Sequence, residues 1–339
     1  MNRLKIGIIG CGKQASKHGA SLKKMGNIEI VVADIDPQQA RKFAEQENCD
    51  YAADANDIFM NQAVCAVIIC TPTQSHVELI TKALKYGKSV FCEKPLAESE
   101  EEIVELRQLA KEANQVLMIG YIYRFVPVFE ECHRLFREQA VDGESMIMGR
   151  PLSAFFRLGG RGSHQAWKHR KDLGGGAINE MLVHMLDLAN WFFGPLDNLK
   201  VITNRLLLEE REIQGVKVQA DAEDFIMVQC TGAGDVQIFC QADLITPDFC
   251  QYAEIQCENG TFRGSIQQDQ PSYVFLKNSR GGYASGKTEL SFGTRSLLDI
   301  QMTSFVLAVQ KKSGPDRNTL EDSHHLMKIV QQLKQQITE

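Results

Sequence analysis

The stretch Ala177–Phe193 is almost wholly apolar, yet it carries Glu180, His184 and Asp187. Glu180 and His184 are an i, i+4 pair, so on a helix they share one face, which Asp187 and Trp191 continue. Ionisable groups on so apolar a helix are paired or functional. A histidine titrates near neutral pH, which suits it to take a proton from a hydroxyl. The competing reading of His184 is a satisfied core histidine.

A second constellation lies near the start of the chain. Gly10-Cys11-Gly12-Lys13-Gln14-Ala15 follows the apolar run Leu4–Ile9 and leads into a helical pattern. Gly10 permits a tight turn, Gly12 lets the backbone approach a pyrophosphate, and Ala15 is small where helix packs on strand. The anion then sits on a helix N-terminus. Asp34 closes the second apolar run about 20 residues on, where a carboxylate accepts from a ribose 2′-OH and repels a 2′-phosphate. Ile35 follows it, not Arg or Ser. NAD is therefore expected over NADP. Within Asp34-Ile35-Asp36-Pro37 the same carboxylate also fits a turn or capping role.

Two further motifs stand at the carboxyl ends of predicted strands, where open parallel sheets bind ligands. Thr71-Pro72-Thr73-Gln74-Ser75-His76 follows one, and Glu93-Lys94-Pro95 follows another. Thr71, Pro72, Thr73, His76, Glu93 and Lys94 are expected to line the cofactor crevice. His76 either touches the ligand or only opens a helix. Arg124 follows the last strand and either reaches the crevice or forms an ion pair. The segment Arg157–Lys171 holds Arg157, Arg161, Trp167, Lys168, Arg170 and Lys171 around Gly159-Gly160. It reads as a solvated basic face or as a cover for an anionic substrate, with Trp167 as an aromatic wall. Gly174–Gly176 makes a tight loop into the Glu180–His184 helix.

The elements that must position these residues fall into two halves. In the first, apolar runs (Leu4–Ile9, Ile28–Ala33, Ala66–Cys70, Ser89–Cys92, Val116–Ile119) alternate with helical stretches (Gln14–Lys24, Pro37–Glu47, His76–Lys85, Ser99–Ala113). A short strand near Asp50–Ala53 fills the third slot. Alternation of this kind implies a parallel, doubly wound sheet, that is, an α/β Rossmann domain. After the Ala177–Phe193 helix come consecutive strand candidates at Leu199–Leu208, Asp224–Cys230, Val236–Asp243, Tyr252–Cys257 and Tyr273–Leu276, separated by turn signals. They imply an antiparallel sheet, closed by helices near Ser296–Lys312 and Leu320–Gln336. The boundary is placed after residue 121, giving domains 1–121 and 122–339.

Composition narrows the function. The chain has 339 residues, 44% of them hydrophobic, and a net charge of −6. That balance argues against a nucleic-acid binder. No apolar run approaches a membrane span and the N-terminus lacks a secretory pattern. Ten cysteines form no CxxC pair and show no zinc spacing, which fits reduced thiols in a cytoplasmic protein. No metal is expected.

The segments Gly7–His18, Thr71–Pro95, Gly120–Pro127 and Gly174–Gly194 together resemble the family of glucose–fructose oxidoreductase, inositol dehydrogenase and MocA. The resemblance implies a Rossmann domain followed by an α+β domain with a large, mostly antiparallel open sheet. It implies a tightly held nicotinamide cofactor. It also implies hydride transfer at a hydroxyl or carbonyl of a sugar, polyol or sugar nucleotide, in a homodimer or homotetramer paired through the C-terminal sheet. It puts Lys94 and His184 on the family's catalytic lysine and histidine. Glu180, the third catalytic candidate, falls where many relatives carry aspartate, a departure that lengthens the reach by one methylene and changes how it would orient His184 or the substrate. Arg124, Trp167, Lys168, Glu180 and His184 become the candidate substrate contacts. Two alternatives stand beside this: a dinucleotide-sensing regulator without turnover, and NAD-assisted glycoside cleavage.

Overall fold

The computed structural model describes residues 3–137, 146–160, 165–293, 295–315 and 317–338. The chain divides into two units, Met1–Phe125 with Thr294–His324, and Val126–Gly293 with His325–Glu339.

The first unit begins with β1 (Leu4–Ile9), α1 (Lys13–Lys23), β2 (Ile28–Ala33), α2 (Pro37–Glu47), β3 (Asp50–Tyr51), α3 (Ala55–Met60) and β4 (Val64–Ile69). It continues with α4 (His76–Lys85), β5 (Ser89–Cys92), α5 (Glu100–Ala113) and β6 (Leu117–Ile119). Among the described residues, six strands form a parallel sheet in the order β3-β2-β1-β4-β5-β6. The strands are Val- and Ile-rich on both faces because helices cover both. Helix starts are written locally. Asp36 accepts from the Gln38 N–H at 2.9 Å with Pro37 in the first turn of α2, and Ser99 with Glu102 builds a capping box on α5.

The second unit opens with α6 (Pro127–Arg137) and β7 (Pro151–Gly159). A π-helical turn (Ile178–Leu182) runs into α7 (Val183–Phe193). Then follow β8 (Asp197–Arg205), β9 (Glu210–Ile213), β10 (Val216–Gln219), β11 (Phe225–Thr231), β12 (Gln237–Asp243), β13 (Cys250–Cys257), β14 (Gly260–Gly264), β15 (Tyr273–Leu276) and β16 (Gly286–Glu289). β9 and β10 pair as a separate hairpin. Among the described residues, eight strands form a sheet in the order β16-β15-β14-β13-β7-β12-β11-β8. Only β7–β12 pair in parallel; the other neighbours are antiparallel. One face of the sheet is buried, with Ala154, Phe156, Val228, Cys240 and Phe262 on it, and Phe156 packs against Phe192 and Phe193 of α7.

β7, in the middle of this sheet, is absent from the sequence reading. It starts on a proline and contains Arg157, so it reads as the edge of a basic loop. Its inward residues Ala154, Phe156 and Leu158 alternate with Ser153, Phe155 and Arg157 as a half-covered strand must. β14 is missed because glycines bound it; a Cβ on Gly260 would lie 2.1 Å from the Phe275 carbonyl oxygen.

The chain then returns to the first unit. α8 (Leu297–Lys311) buries Met302, Phe305 and Val306 in that unit's core, with Phe305 edge-on to Phe91 at 5.7 Å. Asp299 fastens it to α1 by accepting from Ser21 and Lys24, each at 2.7 Å. The boundary drawn after residue 121 thus does not separate everything that packs with the parallel sheet. α9 (Leu320–Thr338) ends the chain.

Candidate functional site

The parallel sheet aligns its strand ends. Ile9 is level with Ala33 and with Ile69, Ile69 with Cys92, and Cys92 with Ile119. The loops that follow, bearing Gly10, Asp34, Thr71, Glu93-Lys94 and Gly120, therefore leave the sheet along one edge. The strand order reverses between β1 and β4, which is where such sheets bind nucleotides.

The Gly10–Ala15 turn follows directly. Gly10 sits at φ 90°, and a Cβ there would come 2.9 Å from the Cys70 carbonyl carbon. Gly12 is different: it is extended, at φ −87°, and a Cβ would meet nothing among the described residues within 4 Å. The fold itself does not require that glycine. Ala15 is fully buried, while Lys13 and Gln14 are exposed. Asp34 Oδ2 accepts from the Cys11 N–H at 2.7 Å, and Oδ1 from the Asp36 N–H at 3.0 Å. The carboxylate thus fills the turn role, and each oxygen keeps a lone pair for a further donor. Burial, with Asp34 and Cys49 nearby, pushes the Cys11 thiol up to about 12, so it is an inert neutral group. Ile35 is fully exposed.

The loop after β4 is tied down by its own residues. Ser75 donates to Thr71 Oγ1 at 2.7 Å and Thr73–Ser75 forms one 3-10 turn. His76 opens α4 and is buried, with Nδ1 2.9 Å from the Pro95 carbonyl and Nε2 2.9 Å from the Thr71 carbonyl. It fastens the Thr71 loop to the Glu93-Lys94-Pro95 loop. Arg124 is 1% exposed and pairs with Asp322 Oδ1 at 2.9 Å, and Arg317 donates to the Arg124 carbonyl. Burial would raise the Asp322 carboxyl, but the Arg124 charge beside it holds it below its ordinary value.

In the second unit the Glu180–His184 segment is not one regular helix. Glu180 lies in the π turn and His184 in the first turn of α7. Such turns recur where a helix is bent to present side chains. The segment is aimed by Gly174–Gly176. Gly174 and Gly176 have φ 77° and 110°, and a Cβ on Gly175 would lie 2.4 Å from the Lys168 carbonyl oxygen. Glu223, which the sequence reading does not single out, accepts from the Ile178 N–H at 3.1 Å and sits where a Gly176 side chain would stand. Burial raises its carboxyl. Its only sequence signal is an acidic residue before a strand, which is commonplace.

Lys168 forms an ion pair with Glu180, and its ammonium stands 5.5 Å over the Trp167 ring. Trp167, Lys168 and Glu180 are thus one cluster. Arg157, on β7, lies 3.2 Å from Thr246 Oγ1 and 3.7 Å from Asp243. Arg170 pairs with Asp172 and Asp221. The basic run is therefore interleaved with acids; Arg161 lies outside the described residues. His184 is half-buried, Asp187 is buried, and Trp191 stacks on His133 at 4.3 Å. All ten cysteines are free thiols. Among the described residues no cluster of His, Cys, Asp or Glu could hold a metal, and no helix is long and apolar enough to cross a membrane.

A doubly wound sheet with a glycine turn at its switch point and Asp34 at the end of the neighbouring β2 defines a dinucleotide-binding unit, here joined to an α+β unit. Residues 4–121 match the oxidoreductase family with an NAD-binding Rossmann fold, and residues 144–263 match the GFO/IDH/MocA C-terminal domain. The chain belongs to that oxidoreductase family. It is 25% identical over 314 residues to an inositol 2-dehydrogenase of Burkholderia lata, covering 91% of this chain and 86% of that protein. It is 26% identical over 231 residues to a 2,7-anhydro-N-acetylneuraminate hydratase of Mediterraneibacter gnavus, covering 67% of this chain and 58% of that one. Among solved structures, a levoglucosan dehydrogenase in complex with NADH and levoglucosan matches with TM-score 0.84 at 19% identity, covering 99% of this chain and 97% of that one. Likeness at that identity speaks for the fold.

Proposed function

We propose that the protein is an NAD-dependent dehydrogenase acting on a CH–OH or carbonyl group of a sugar, polyol or sugar nucleotide. The observation that carries this reading is Gly12, a glycine that the chain needs neither for φ nor for packing, at the start of a helix beside Asp34. Gly10, Cys11, Gly12, Lys13, Gln14 and Ala15 would hold the pyrophosphate. Asp34 and Ile35 would meet the adenosine ribose and adenine. Thr71, Pro72, Thr73, Glu93 and Lys94 would follow the cofactor along the strand ends, with His76 fastening their loops. The bound nicotinamide would accept or return a hydride.

The protein's own groups handle the oxygen. Lys94 steadies the developing alkoxide as a cation and His184 takes the hydroxyl proton. Glu180 holds Lys168, and with Trp167 the three present an ammonium, a carboxylate and an aromatic face to a polyhydroxylated substrate. The Asp34 carboxylate favours NAD over NADP. Pairing through the eight-stranded sheet into a dimer or tetramer is the assembly we expect, in the cytoplasm, where free thiols persist. The test is a panel of sugars, inositols, uronates and UDP-sugars incubated with NAD or NADP and followed by reduced-nicotinamide absorbance. Turnover of a panel member with NAD supports the reading. A second reading is favoured by the relative named as a hydratase: cofactor-assisted bond cleavage or hydration without net oxidation. It would consume substrate and leave no NADH.

A further inference from the structure

His18 lies on α1 with its ring fully buried. Its Nε2 is 2.6 Å from Glu93 Oε1. Glu93 is held ionised: burial would raise its carboxyl, but the hydrogen bond and charge of His18, with Lys94, bring it below its ordinary value. A carboxylate oxygen only accepts, so Nε2 is the donor. The ring lies edge-on to Phe91, centroids 5.1 Å apart, and among the described residues Nδ1 has no hydrogen-bond partner. An imidazole buried in apolar packing with one nitrogen unsatisfied costs stability that a leucine would not. The bond to Glu93 is what that burial secures.

Glu93 is held from other sides as well. Its N–H donates to the Ile69 carbonyl at 3.0 Å, and Gln14 Nε2 approaches Oε1 at 3.4 Å. Gly120 leaves it room, since a Cβ there would come 3.0 Å from Oε2. Gln14 and His18 both stand on α1, the helix that starts directly after the dinucleotide glycines Gly10 and Gly12. Lys94 is the next residue along the chain.

We propose that His18 is a positioning residue for the reaction: through Glu93 it fixes the loop that carries Lys94 and ties that loop to the dinucleotide-bearing helix. The proposal rests on the reading of Lys94 given above. It is tested in the full-length protein with His18→Leu, which keeps bulk and removes the donor, and His18→Gln, which keeps an amide donor. The readouts are kcat, KM, NADH affinity, thermal midpoint and the rate at which an amine-acetylating reagent labels Lys94, followed by peptide mass spectrometry. In His18→Leu, kcat falls by about tenfold to a hundredfold, as for a misplaced reacting group. NADH affinity and KM hold, Lys94 is acetylated faster, and His18→Gln recovers most of both effects. Glu93→Gln, which leaves His18 in place, gives the same kcat loss and the same faster labelling should His18→Leu fail to fold. Unchanged Lys94 labelling in a folded His18→Leu or Glu93→Gln protein would overturn the proposal, as would a His18→Gln protein no better than His18→Leu. Wild-type turnover by Lys94→Ala would instead overturn the functional reading, with the labelling rates still deciding the role of His18.

Discussion

The two glycine turns look alike in sequence and differ in what demands them. In Gly174–Gly176 the chain itself uses every glycine: two sit at positive φ, and the middle one lies against the Lys168 backbone. In Gly10–Gly12 the chain uses only the first. Gly10 is locked by φ 90° and the Cys70 backbone, whereas Gly12 borders open space in an ordinary conformation. The internal demand of the second turn marks it as a device for aiming a helix. The unmet demand of the first marks a place reserved for something that is not protein. A glycine that the fold does not explain is stronger evidence of a ligand than a glycine motif alone.

That comparison can be sharpened, beginning with the chemistry each turn serves. Lys94→Ala and His184→Ala should each lower kcat by about a hundredfold or more, the usual worth of a positioned acid or base, with both turns intact. Steady-state rates on the best panel substrate check this. Gly176→Ala should cost about 3 kcal/mol of stability or more, because the new methyl meets Glu223 and the residue is held at positive φ. Denaturant unfolding reads it, and a midpoint like wild type would mean that the turn is not under the constraint described. Asp34→Ala should narrow the preference for NADH over NADPH by about tenfold, or ~1.4 kcal/mol, seen in the ratio of the two dissociation constants. A preference unmoved by the substitution would leave Asp34 only its bonds to Cys11 and Asp36.

The smallest effect is one of pH. The Asp322 carboxyl is depressed in the folded protein by Arg124. Its contribution is therefore complete above the unfolded value, about 3.9, and is lost as pH falls through the folded one. The stability gap between wild type and Asp322→Asn should be constant around neutrality and close in acid. A gap that widened in acid would contradict the pairing.

The sequence makes the first unit legible because its signals are local. Ile28–Ala33, Pro37–Glu47 and His76–Lys85 are placed to the residue, since caps, prolines and β-branched runs state their own limits. The resemblance to a family and the parallel and antiparallel layouts are borne out. What escapes is what depends on distant partners. β7 is a strand because β12 and β13 flank it, not because of its own composition. The π turn depends on Glu223, 43 positions beyond Glu180 in the chain. α8 belongs to the first unit because Phe305 finds Phe91. Arg124 and His18 were visible as residues, but their partners Asp322 and Glu93 are set by the fold alone.

The central claim is that the first turn is built for a nicotinamide dinucleotide, and calorimetric titration of wild type and Gly12→Ala with NADH tests it most directly. The account predicts one NADH bound per wild-type chain and binding weaker by at least about tenfold in Gly12→Ala, with thermal midpoints within about 2 °C of each other. Equal affinity in the two proteins, or no binding by the wild type, would contradict it.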